Sequence, residues 1–97
     1  MKKVEDKRSQ AYQSEVKGTS IKIDYRASIE PTDKGEEVVS IYGTITKDGK
    51  NIGSVSYEKV PDRMHITFEP FSGTTFKEKQ AVTAVVVTDV NEVLTAE

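Results

Sequence analysis

Thr75-Phe76-Lys77-Glu78-Lys79-Gln80-Ala81-Val82-Thr83-Ala84-Val85-Val86-Val87-Thr88-Asp89-Val90-Asn91-Glu92-Val93-Leu94 is the stretch on which the reading of this chain turns. Taken as a helix, it puts Val82, Val86, Val90 and Val93 on one face, with Phe76 and Leu94 at one edge and Val85 on the other flank. Such a stripe is wide enough to cover a sheet. Thr75 followed by Glu78 fits a capping box, in which the threonine hydroxyl accepts from an orphan amide and the glutamate reaches back to the cap. A strand is the competing reading, because Ala84-Val85-Val86-Val87-Thr88 is β-prone by composition. Length, the cap and the 3.6-residue spacing decide for a helix over residues 75–94.

A lone helix needs a sheet to cover, and the preceding residues supply one. Over residues 20–30, Ile21, Ile23, Tyr25, Ala27 and Ile29 alternate with Lys22, Asp24, Arg26, Ser28 and Glu30, the pattern of a half-buried strand. Pro31-Thr32-Asp33-Lys34-Gly35 is turn chemistry. A second strand follows over residues 38–46, with Val39, Ile41, Gly43 and Ile45 in phase.

At the next turn, Asp48-Gly49 suggests a two-residue type I′ hairpin. Continued without interruption, that register would set Ile41 opposite Ser56 and scatter apolar residues over both faces. A three-residue loop, Lys47-Asp48-Gly49 with a bulge at Gly49, pairs Ile41 with Val55 and Val39 with Tyr57, and burial favours it. The third strand, residues 51–59, ends at Val60-Pro61-Asp62-Arg63. The fourth, residues 64–69, turns Met64, Ile66 and Phe68 inward, with Tyr57 expected opposite Ile66, and Val55 opposite Phe68. The sequence therefore predicts an α+β domain over residues 20–97, a four-stranded antiparallel β-meander with one C-terminal helix packed on one face. Residues 1–19 carry clustered charges of both signs and sparse apolar positions. They read as a polar tail, disordered or loosely helical, that adds little to stability.

Ninety-seven residues allow one modest domain, and a net charge of −2 provides no global field toward nucleic acid or acidic lipid. The chain has no cysteine, which removes disulfides, thiolate metal sites and cysteine nucleophiles together. It shows no apolar run of membrane-spanning length and no signal-peptide core, so no membrane association is expected. The compartment stays open, with the cytoplasm as default. His65, the one histidine, falls on the outward phase opposite Glu58, where a cross-strand contact is the plainer reading than an acid–base pair. Asp33, Glu36 and Glu37 lack calcium-loop spacing, and neither a nucleophile elbow nor a phosphate loop occurs. No cofactor, metal or enzymatic activity is expected.

The uncovered sheet face is the leading candidate surface: Arg26, Ser40, Tyr42, Thr44, Ser54 and Thr67, joined by Asp24, Ser56 and Glu69, with Tyr42 near the middle. Small hydroxyl side chains around one aromatic suit contact with a protein partner or stacking on a base, although a plain solvated face has the same composition. The expected function is a small non-catalytic binding or adaptor domain acting through this face or an edge strand. The alternative is nucleic-acid binding through Lys47 and Lys50 at the hairpin tip and Lys77 and Lys79 at the helix start. Phe76-Lys77-Glu78-Lys79-Gln80-Ala81 after antiparallel strands resembles double-stranded-RNA-binding domains, which reach phosphates with lysines at the start of their last helix. The resemblance covers only that helix entry and the strand-strand-strand-helix order. Glu78 interrupts the lysines, and a strand stands where those domains have a first helix, so no family is assigned.

Overall fold

The structure is a computed structural model that describes the backbone of residues 1–5 and 9–95 and the side chains of Met1 and residues 9–95. Its elements are β1 (Lys2–Glu5), β2 (Ser9–Glu15), β3 (Ile21–Thr32), β4 (Gly35–Lys47), β5 (Lys50–Glu58), β6 (Arg63–Phe68) and α1 (Phe76–Thr95). The strands form one antiparallel sheet in the order β1-β2-β3-β4-β5-β6, a meander in which each strand pairs with its neighbour in sequence. The helix lies across one face. The α+β class and the meander agree with the sequence pattern, and among the described residues the sheet has six strands where four were expected.

The extra strands come from the segment read as a tail. Ser9–Glu15 pairs with β3, Tyr12 opposite Tyr25 and Ser14 opposite Ile23. Tyr12, Ser14 and Val16 are buried, so the period-two signal is present with a serine in its middle. A polar residue at a core position broke the apolar pattern that would have revealed the strand. Residues 6–8 of that expected tail lie outside the described residues.

The core is a single layer between sheet and helix. Ile21, Ile23, Tyr25 and Ala27 of β3 join Val38, Ile41 and Ile45 of β4 and Ile52, Val55 and Tyr57 of β5 beneath Val82, Val86, Val90 and Val93 of α1. The four helix valines are the four expected. Phe76, assigned to the edge of that stripe, is instead 74% exposed. The capping box is formed: the Glu78 amide donates to Thr75 Oγ1 at 3.1 Å, and the Thr75 amide donates to Glu78 Oε1 at 2.9 Å.

Registers depart from expectation while the faces hold, except at Val38 and Val39. Asp48 (φ 53°) and Gly49 (φ 80°) make a two-residue turn with Lys47 opposite Lys50. The phase is then restored inside the strand. Ile45 pairs with Gly53 and Thr46 with Asn51, leaving Ile52 as a bulge. Ile41 consequently lies opposite Tyr57, and Gly43 opposite Val55. Likewise Tyr57 pairs with Met64, and Val55 with Ile66, two residues from the expected pairs. Side-chain phase fixes register only to the nearest even number, and turn length and bulges choose among the even solutions. A second bulge, at Val39 between the Ser28–Ser40 and Ile29–Val38 pairs, turns Val38 into the core and leaves Val39 half-buried.

Gly43 has a packing role. A Cβ there would stand 3.1 Å from Tyr25 Cδ1 and 3.2 Å from Val55 Cβ, so the missing side chain makes room for the Tyr25 ring. That ring carries the phenol toward the helix.

Candidate functional site

The face away from the helix gathers Arg26, Ser40, Tyr42, Thr44, Ser54 and Thr67, the residues singled out for a protein partner. Three rows cross the sheet there. Asp24, Thr44, Ser54 and Thr67 form one; Arg26, Tyr42, Ser56 and His65 the next; Ser28, Ser40, Glu58 and Arg63 the third. Tyr42 stands in the middle row, flanked directly by Arg26 and Ser56, and is 56% exposed. Between it and β2 lies a depression of about 460 Å³ lined by residues including Ala11, Gln13, Asp24, Arg26, Tyr42 and Thr44. Gln13 Nε2 donates to Asp24 Oδ1 at 2.9 Å, and Arg26 Nη1 donates to Ser9 Oγ at 3.1 Å. These contacts place β2, which sequence reasoning left out, on the rim of the candidate surface.

His65 is not opposite Glu58. It pairs with Ser56, and Glu58 instead faces Arg63, whose Nη2 approaches Glu58 Oε1 at 2.7 Å. The two-residue shift in register moved the histidine away from the carboxylate. Among the described residues, no three His, Asp or Glu side chains converge as a metal site would require. Among the same residues, no helix is long and apolar enough to cross a membrane.

The four lysines of the alternative reading fall at the end where the β4–β5 turn meets the helix start. Lys47 Nζ is 2.9 Å from Glu78 Oε2, so the interrupting glutamate takes up its charge. The Thr75 amide and then Lys47 hold the Glu78 carboxylate below its ordinary range. Lys79 Nζ lies 5.7 Å from the centre of the Phe68 ring, a cation–π contact, while Lys50 and Lys77 are exposed.

Two features were not anticipated. The first is buried: Asp89, only 4% exposed, accepts from Ser14 Oγ at 2.6 Å and from Tyr25 OH at 2.8 Å, all through Oδ2. Burial, then the Asp89 carboxylate, push the Tyr25 phenol well above its ordinary value. Its three members come from β2, β3 and α1, so the cluster acts as a clamp between helix and sheet. The signal available in sequence was a charged residue on the valine stripe, which asks for a buried partner elsewhere.

The second is apolar. Phe68, Phe76, Lys79, Gln80, Thr83, Ala84 and Val87 line a groove of about 670 Å³ between α1 and β6. Val87 also borders a second depression of about 290 Å³, which runs on past Met64 and Leu94. Phe76 at 74%, Val87 at 51% and Met64 at 38% exposure make this an apolar surface beside the β6 edge. Family models, curated proteins and solved structures give no match to this chain.

Proposed function

We propose that the protein is a small non-catalytic binding domain whose polar sheet face engages a protein partner. The observation that carries this reading is Tyr42. It is an aromatic more than half exposed among three rows of polar side chains, beside a shallow depression. Its ring is anchored on a central strand and has few rotamers to lose, so contact with it orders little. Charges on the face are of both signs, Asp24 and Glu58 against Arg26 and Arg63. The matching partner surface is neutral and rich in hydrogen-bonding groups, with a socket for one phenol. The nucleic-acid alternative has less behind it, because Glu78 pairs with Lys47 and Lys79 is engaged over Phe68.

The test uses a photo-crosslinking residue at Thr44, beside Tyr42, in the full chain, followed by titration of the captured protein against the isotope-labelled domain. Expected are amide shifts over β3 to β5 and an affinity at least about fivefold weaker for Tyr42→Ala, on the order of 1 kcal/mol or more. Shifts confined to α1 and residues 47–50, with β4 and β5 silent, would sink the face reading and raise the nucleic-acid one.

A further inference from the structure

We infer that two copies of this chain pair through β6, antiparallel about a dyad at Ile66, joining their sheets into one. β6 ends the sheet. Within Arg63–Phe68 it has no lysine, no proline and no bulge, the usual means of closing an edge to further pairing. The Glu69 amide donates to the Ile52 carbonyl at 2.8 Å, so the odd-numbered residues of this strand face β5. By the alternation of an antiparallel strand, Met64, Ile66 and Phe68 direct their amides and carbonyls outward, away from the sheet. An added strand must bond to those three residues.

Only even registers satisfy that requirement, and one of them uses the whole strand. With Ile66 opposite Ile66 of the second copy, Met64 faces Phe68 of that copy, His65 faces its Thr67, and Arg63 faces its Glu69. The dyad repeats each contact. Shifting by one even step sets His65 against His65 and leaves Glu69 beyond the pairing, or leaves Arg63 beyond it in the other direction. The charge match therefore selects the register that also pairs the most backbone. Arg63 bonds Glu58 through one nitrogen, and its guanidinium has further donors for a second carboxylate.

The same register accounts for the groove. A dyad normal to the sheet leaves both helices on one face, flanking the seam. Met64, Ile66 and Phe68 from each copy then form an apolar layer beneath the seam. Phe76 and Val87 of the two helices, both more than half exposed in the single chain, border it from either side. The opposite, polar faces become one surface with two Tyr42 side chains.

Sedimentation equilibrium across protein concentration should give a monomer–dimer equilibrium, with R63E and E69R each weakening the dimer at least about tenfold and R63E/E69R together recovering most of that loss. A second measurement exploits the absence of cysteine from the chain. Cα atoms of a directly opposed pair lie about 5.5 Å apart, within disulfide reach. I66C should give a covalent dimer on mild oxidation, whereas T44C, away from the seam, should not. A strictly monomeric protein at millimolar concentration, or open-ended assembly beyond the dimer, overturns the pairing. Failure of the double charge exchange to restore association overturns the register. Retained folding of each variant, read by circular dichroism, separates dissociation from unfolding.

Discussion

Helix α1 has two flanks, and they are built on opposite principles. Toward β2 and β3 the helix is clamped: Asp89 accepts from Ser14 and Tyr25, and Val82, Val86 and Val93 sit on a closed layer. Toward β6 it stands away from the sheet, leaving Phe76 and Val87 over an open groove. A buried carboxylate held by two hydroxyls is costly to misplace, so the clamp fixes where the helix lies. The open flank is tied to the sheet by the looser Lys79–Phe68 contact and presents apolar surface that a second chain can cover. One side of the helix defines the fold, and the other is left available.

The largest effect should come from removing the clamped flank altogether. Deleting residues 1–19 takes away β2, the buried Tyr12 and Val16, and the Ser14 hydroxyl that Asp89 needs. Each buried side chain is worth about 1.5–3 kcal/mol, and a carboxylate losing a donor adds to that. The truncated chain should show no cooperative melt above 25 °C by circular dichroism. An unchanged melting temperature would mean that the helix needs no clamp and that the contrast between its flanks is wrong.

Asp89→Ala isolates the polar part of the clamp. It leaves the Ser14 and Tyr25 hydroxyls buried without their acceptor, and urea denaturation should show a loss of about 2–4 kcal/mol. The Tyr25 end can be tested by pH. Its folded phenol titrates above the ordinary value of 10.0, so the stability from this group is full below that pH. It is lost as pH climbs from there toward the folded value, because the unfolded chain gives up its proton first. Unfolding free energies from urea denaturation at pH 9 to 11 should fall more steeply for the native protein than for Tyr25→Phe, by up to about 1 kcal/mol per pH unit. Parallel curves would show that the phenol is not held by Asp89.

These contacts also mark what a sequence can and cannot show. The helix was legible because Thr75 and Glu78 cap it and four valines recur at its spacing, all local signals. The inner and outer faces of β3 to β6 were legible for the same reason, except where bulges turn Val38 and Ile52 inward, and with them the cluster around Tyr42. β2 was not, since Ser14 makes sense inward only once Asp89 is placed against it, 75 residues away. The registers were legible only in parity, since the bulges at Val39 and Ile52 and the four-residue turn before Arg63 set the remainder. The groove could not be read either. Phe76 and Val87 look like core residues until the distance between helix and β6 is known.

The smallest effect on the single chain should come from the open flank, where it also sharpens the comparison most. Val87 is half exposed on α1, and Val and Ser have similar helix propensities. Val87→Ser should therefore change the stability of the dilute, monomeric protein by no more than about 0.5 kcal/mol. If the groove is covered by a second copy, association adds to the apparent stability of the native chain as protein concentration rises. Its melting temperature should then increase with concentration, and that of Val87→Ser should increase less. At the lowest concentration the two curves should meet. A gap of 2 kcal/mol or more that persists on dilution would show that Val87 supports the fold within a single chain and that this flank is closed as well. Coincidence at every concentration would show that the groove is covered by nothing of its own kind.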